Sequence, residues 1–138
     1  MKSIKLAFAT LALGAFSLAG CAATANPADA KGKLEAAGYA TSLSNVTTMP
    51  AVGIEETVDG LQQLLGATKS SNGDTYLILI YYFSNTDKAN ACFEKHTSDL
   101  VGHKTASGLE MTAGQYNNAI FVGDQVSVKT SGINPYAE

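Results

Sequence analysis

The sequence predicts a small α+β domain, a two-layer sandwich of two helices on a largely antiparallel sheet of about four or five strands. Residues 75–83 form an unbroken apolar and aromatic run, and both alternating faces of that run are apolar, as in a central strand covered on both sides. Asn72-Gly73 precedes the run and favours a tight hairpin turn. Apolar residues at helical spacing follow it over 87–101.

Two elements are predicted at the start of the domain. Residues 30–37 read as a short helix that ends at Gly38, a residue suited to the left-handed backbone after a helix. Residues 39–46 alternate weakly and are rich in Thr and Ser, which indicates a strand.

The segment before the central strand is ambiguous in the sequence. Its apolar residues recur at a helical spacing, at Ile54, Val58, Leu61 and Leu65. The pair Asp59-Gly60 is typical of a turn, and Asn72-Gly73 favours a hairpin. We therefore expect a strand over 61–69 that pairs with the central strand.

A helix and two more strands are predicted after the central strand. Ser84 and Asp87 resemble a helix N-cap with an acid three residues on, and Gly102 ends the helix over 87–101. The residues on its apolar stripe are Ala89, Cys92, Phe93, His96 and Leu100. Residues 116–122 and 125–130 are expected to form strands joined by a tight turn at Gly123-Asp124.

The amino terminus has the organisation of a secretory signal. Lys2 and Lys5 are followed by an uncharged, largely apolar stretch over 6–19. As a helix this stretch is about 21 Å long, too short for the ~30 Å hydrocarbon core of a bilayer. We interpret residues 1–20 as an export signal with a basic and an apolar region.

The tetrapeptide Leu18-Ala19-Gly20-Cys21 resembles the lipobox of bacterial lipoproteins. The resemblance implies cleavage between Gly20 and Cys21, transfer of diacylglycerol to the Cys21 thiol, and acylation by fatty acids such as palmitate. It also implies a lipid-anchored location on the extracytoplasmic face of the cell membrane. The alternative is an ordinary signal peptide cleaved later, after Ala23-Thr24-Ala25 or after Ala28-Asp29-Ala30.

The mature chain is expected to have three parts. Residues 21–30 form the acylated cysteine and a flexible tether, 31–132 a single α+β domain, and 133–138 a loose tail. Three motifs of this domain resemble small uncharacterised lipoproteins of Firmicutes: Ala36-Ala37-Gly38-Tyr39, Leu65-x-Ala67-x-Lys69 and Tyr81-Tyr82-Phe83. That resemblance implies the fold and the location, and it brings no activity with it.

Charge restricts the possible partners of the chain. It has nine lysines, no arginine and twelve acidic residues, and it therefore lacks the guanidinium forks that recognise phosphate and guanine. We expect no nucleic-acid binding. Loss of Lys2 and Lys5 with the signal leaves seven lysines against twelve acids, a net charge of −5. The acyl chains, and no basic patch, must then hold the protein at a membrane.

Cys92 and His96 are the candidate residues for chemistry. They lie four residues apart on the predicted helix, the spacing of two zinc ligands or of a thiol activated by an imidazole. Zinc needs three or four ligands, and only His103 and scattered acids remain. Because Phe93 and Leu100 share the stripe, we expect Cys92 to be a buried core residue. The sequence predicts no metal and no cofactor.

Two further groups of residues have a structural and a functional interpretation. Six tyrosines could line a groove for sugars or peptides, but sheet packing explains them better: Tyr39, Tyr76, Tyr81, Tyr82, Tyr116 and Tyr136. The acidic segment Glu55-Glu56-x-x-Asp59 lacks the regular oxygen spacing of a calcium loop and is typical of a solvated turn.

The function predicted from the sequence is a non-catalytic binding or interaction domain at the cell envelope. Its ligand could be a small molecule, a peptide or an envelope protein. No phosphate-binding loop, nucleophile elbow or zinc-protease motif is present in the sequence. The alternative is a thiol-based redox or metal-binding protein that uses Cys92 and His96.

Overall fold

A computed structural model describes residues 24–133 of the chain. The predicted signal, Gly20 and Cys21 lie outside the described residues, as do residues 134–138. The elements in chain order are α1 Pro27–Ala36, β1 Ala40–Asn45, β2 Leu61–Ser71, β3 Asp74–Phe83, α2 Thr86–Leu100, β4 Met111–Tyr116, β5 Ala119–Asp124 and α3 Gln125–Ser131. A short 3-10 turn, Pro50–Val52, lies in the connection between β1 and β2.

The five strands form one antiparallel sheet in the order β1-β2-β3-β5-β4. The α+β class, the antiparallel sheet and the central position of the apolar run are confirmed. The β2–β3 hairpin also forms where the sequence places it. Its two turn residues, Asn72 and Gly73, have φ values of 55° and 85°, as the favoured hairpin turn requires.

Helices cover both faces of the sheet. α1 and α3 pack on the face to which β3 contributes Ile78, Ile80 and Tyr82, which we call the α1/α3 face. α2 packs on the opposite face, the α2 face, against Tyr81 and Phe83. The structure therefore has three layers and three α-helices, where the sequence predicted two layers and two helices.

The extra helix replaces the last predicted strand, and this prediction was wrong. Residues 125–130 alternate Val with polar residues, but Asp124 begins a helix there because its carboxylate accepts a hydrogen bond from Ser127 N at 2.9 Å. Gly123 lies inside β5, so the predicted Gly123-Asp124 turn does not form. The partner of β5 is β4, and Asn117, at φ 52°, turns the chain between them.

The boundaries of the domain are also wider than predicted. α1 begins at Pro27, with Asn26 as its N-cap, so residues 27–30 are helical where a flexible tether was expected. Ala30 is 3% exposed and Ile133, the first residue of the predicted tail, is 6% exposed. Both pack in the core of the α1/α3 face, and their burial explains why they belong to the folded domain.

The predicted stripe of α2 is confirmed, whereas its predicted cap is wrong. Four of its residues are buried: Ala89, Cys92, His96 and Leu100. The N-cap is Asn85, whose Oδ1 accepts a hydrogen bond from Lys88 N at 2.9 Å, and not Ser84.

The carboxylate of Asp124 joins three elements inside the core. It is 2% exposed and accepts hydrogen bonds from Ser127 N, from Ser127 Oγ at 2.8 Å and from Leu77 N at 2.7 Å. Because Ser127 Oγ donates to Asp124, it accepts from the Tyr39 hydroxyl at 2.8 Å. The network links the start of α3, strand β3 and the α1–β1 connection.

Replacement of this carboxylate should weaken the fold. We expect Asp124→Ala to lower the free energy of unfolding by about 3 kcal/mol, because two buried donors and one partly buried donor lose their acceptor. Asp87→Ala, at an exposed acid in the first turn of α2, is the control and should cost less than about 1 kcal/mol. Urea unfolding measures both, and equal losses would contradict this role of Asp124.

Candidate functional site

The structure places Cys92 and His96 on the buried side of α2, as predicted, but it does not join them. Cys92 is 5% exposed, and its Sγ lies 3.9 Å from Met49 Sδ in the core. Burial raises the pKa of the thiol, and the nearby Lys95 only partly opposes this effect. A neutral thiol in an apolar setting is a poor nucleophile and a poor metal ligand.

The imidazole of His96 lies between two carboxylates. Its Nδ1 is 3.1 Å from Asp99 Oδ2, and its Nε2 is 3.6 Å from Glu56 Oε2. Both ring nitrogens therefore face acids, and Cys92 gains no base from this residue. The backbone of α2 departs from helical geometry at His96, with φ −115° and ψ 20°.

The acidic segment before β2 pairs with the basic side of α2. Glu56 Oε2 lies 3.2 Å from Lys95 Nζ, and Asp59 Oδ2 lies 2.5 Å from Lys88 Nζ. Two carboxylates of this segment, those of Glu56 and Asp59, thus pair with lysines of α2, and His96 adds a contact between α2 and the β1–β2 connection. Exposed pairs of this kind add little stability individually, so the result is mainly a fixed loop position.

A metal site is not assembled in the described part of the chain. His103, the remaining histidine candidate, lies with Nε2 2.7 Å from the backbone oxygen of Asp99. Among residues 24–133, no group of three or more His, Cys, Asp or Glu side chains could hold a metal ion.

The tyrosines pack in the sheet and do not form one groove. Tyr81 and Tyr82 are buried on opposite faces of β3, and Tyr39 is buried under α3. Within the described residues the hydroxyls of Tyr81 and Tyr82 have no hydrogen-bond partner. Burial raises the pKa of Tyr81 to about 12, and it raises the pKa of Tyr82 further, with a smaller contribution from Asp29. Tyr136 lies outside the described residues.

One surface that sequence reasoning missed lies on the α2 face. α2 packs on β3, β4 and β5, and among the helices of residues 24–133 none packs over much of β1 and β2 on this face. Leu64 and Leu79 are only half-buried on this part of the face. Gly66 lies beside them with free space above it, since a Cβ at this position would have only Leu79 Cδ2 within 4 Å, at 3.8 Å. We call this surface the Leu64–Leu79 patch.

Hydroxyl groups border the Leu64–Leu79 patch. The exposed hydroxyl-bearing residues beside it are Ser42, Ser44 and Thr68, and Ala40 is exposed next to Thr68. An apolar surface bordered by hydroxyls suits a ligand that is apolar with some hydrogen-bonding groups. The alternation of small and apolar residues in β2 was a signal for this surface, but the sequence did not reveal how far α2 would extend over the sheet.

No family model, no curated protein and no solved structure matches the chain. Within residues 24–133, no helix is both long enough and apolar enough to cross a membrane.

Thiol labelling tests the burial of Cys92. At pH 8, with labelling measured at the peptide that contains Cys92, we expect Cys92 to react with iodoacetamide at least about tenfold more slowly than in urea, because the folded core shields a neutral thiol. A Val126→Cys variant provides an exposed thiol on α3 as the control, since Val126 is 55% exposed. Native Cys92 reacting as fast as that thiol would favour the redox alternative.

The raised pKa of the Cys92 thiol also predicts that the free energy of unfolding depends on pH. Its contribution to stability is fully present below the ordinary thiol pKa of 9.0 and is lost as the pH rises above that value, because only the unfolded chain then ionises readily. We expect Cys92→Ala to reduce the loss of unfolding free energy between pH 8 and pH 10. An unchanged pH dependence would contradict the burial argument.

Proposed function

We propose that this chain is an exported lipoprotein, anchored through Cys21 on the extracytoplasmic face of the cell membrane, whose α+β domain binds a ligand without catalysis. The observation that carries the proposal is the order of Lys2 and Lys5, the apolar stretch over 6–19, and Leu18-Ala19-Gly20-Cys21.

The start of the folded domain supports this anchor. Ala25 N donates to Asn118 Oδ1 at 2.6 Å, and Asn118 Nδ2 donates to Phe83 O at 3.1 Å. Four peptide units separate Cys21 from Ala25, a reach of at most about 14 Å. An acylated Cys21 would therefore hold the end of the domain that includes Asn118 close to the bilayer.

The fold also bears on the alternative cleavage sites. Cleavage after Ala30 would remove the first turn of α1, including its N-cap Asn26 and the buried Ala30. Cleavage after Ala25 would remove the contact with Asn118. Cleavage before Cys21 keeps every described contact, and this supports the lipoprotein signal over a later site.

The Leu64–Leu79 patch is the surface we assign to binding. Its half-buried leucines and bordering hydroxyls suit an amphipathic small molecule, a peptide or a segment of an envelope protein. The alternative, a thiol redox or metal protein, is the weaker proposal because the Cys92 thiol is buried and His96 faces Glu56 and Asp99.

Fatty-acid labelling tests the anchor. We expect Cys21→Ser to abolish incorporation of radiolabelled palmitate, because the serine hydroxyl cannot replace the thiol in acylation. Cys92→Ser is the matched control at the other cysteine and should retain the label. A Cys21→Ser protein that is still labelled would overturn the proposal.

A further inference from the structure

The outer edge of β1 is an open hydrogen-bonding surface. Within residues 24–133, β1 is the first strand of the sheet and β2 is its one neighbouring strand. Its six residues, Ala-Thr-Ser-Leu-Ser-Asn, include no charge, no proline and no bulge, the devices that usually protect an edge strand. The opposite edge differs, because the segment before β4 folds back on it and Met111 N donates to His103 O at 2.9 Å.

The hydrogen-bond pattern identifies the groups at this edge. Val46 N donates to Gln62 O at 3.1 Å, so the residue pair 46 and 62 is hydrogen bonded across β1 and β2. Bonded and non-bonded pairs alternate along an antiparallel ladder. With the observed register, Thr41, Leu43 and Asn45 therefore direct their N–H and C=O groups away from β2.

We propose that a second copy of this chain pairs antiparallel with β1 about a two-fold axis at Leu43. In this register Leu43 exchanges both backbone hydrogen bonds with its counterpart, and Thr41 does so with Asn45. Leu43, which is 39% exposed, is buried against its counterpart. The strands carry no charge, so the net negative charge of the chain places no like-charged pair within the ladder.

The position of the amino-terminal segment fits the same symmetry. A two-fold axis between antiparallel strands is perpendicular to the sheet, so the α1/α3 faces of both copies point the same way. Ala25 packs on the α1/α3 face of its own copy. Ala25 therefore lies on the same side of the sheet in both copies, which puts both anchors within reach of one membrane.

The lipid anchor raises the effective concentration at which two copies of the domain meet. One pair of six-residue strands is a limited contact, and copies confined to one membrane surface meet at far higher effective concentration than in solution. This step rests on the proposed acylation of Cys21, whereas the edge pairing itself rests on the β1 geometry.

Disulfide trapping in the membrane tests the register. Leu43→Cys places two thiols directly opposite each other, with a Cα separation of about 5.5 Å, inside the range for a disulfide. We expect mild oxidation to give at least about tenfold more disulfide-linked dimer for Leu43→Cys than for Ser44→Cys, because residue 44 faces residue 42 of the other copy. Val126→Cys on α3 is the exposed control and should give no dimer. Cross-linking of Leu43→Cys at or below the control level would overturn the proposal.

A proline variant tests the hydrogen bonds without relying on cross-linking. Leu43→Pro removes an N–H that points away from β2, and an edge strand tolerates proline in that position. With a fluorophore on each copy in the membrane, we expect energy transfer between copies for Leu43→Ala and none above background for Leu43→Pro, with cooperative unfolding in both. A dimeric, folded Leu43→Pro would overturn edge pairing.

Intact mass of the same samples separates the two proposals. Acylated protein that fails to cross-link at position 43 would overturn edge pairing and leave the anchor intact. Protein without lipid that still cross-links would support edge pairing and overturn the anchor.

Discussion

Both faces of β3 carry apolar and aromatic side chains, so both faces of the sheet must be covered from water. Ile78 and Ile80 pack under α1 and α3, while Tyr81 and Phe83 pack under α2. This double burial requires a third layer, which α1 and α3 provide on the α1/α3 face. The Asp124 carboxylate fixes α3, since it satisfies donors of α3 and of β3 together. A buried charge of this kind is tolerated because it is fully hydrogen bonded.

Local signals were enough to predict the centre of the fold and failed toward its carboxyl end. The β2–β3 hairpin was predictable because Asn72-Gly73 determines its own turn, and α2 because its stripe has helical spacing over fifteen residues. α3 has only seven residues and two valines at alternate positions, so its sequence pattern favours a strand. Its helical state depends on the cap at Asp124 and on packing against β3, which no local pattern contains.

At the candidate site, too, local sequence patterns predicted some features and missed others. The burial of Cys92 followed from the apolar stripe of α2. The carboxylates around His96 could not be predicted in this way, because Glu56 comes from the β1–β2 connection, whose path beside α2 is set by tertiary contacts. The Leu64–Leu79 patch and the open edge of β1 arise where helices end over the sheet and where strands lack a neighbour. Both features depend on how helices and strands pack together. Both lie on the β1–β2 side of the domain, which is therefore the side we propose for ligand binding and for pairing of two copies.

The intact mass of the protein extracted from membranes, with peptide mapping of its amino terminus, tests the central claim most directly. The account predicts a chain that begins at Cys21 and carries diacylglycerol. Such a result would make the outer surface of the membrane the place to seek the ligand of the Leu64–Leu79 patch. A chain that begins at Asn26 or Lys31 without lipid would contradict the account and would leave only an exported protein.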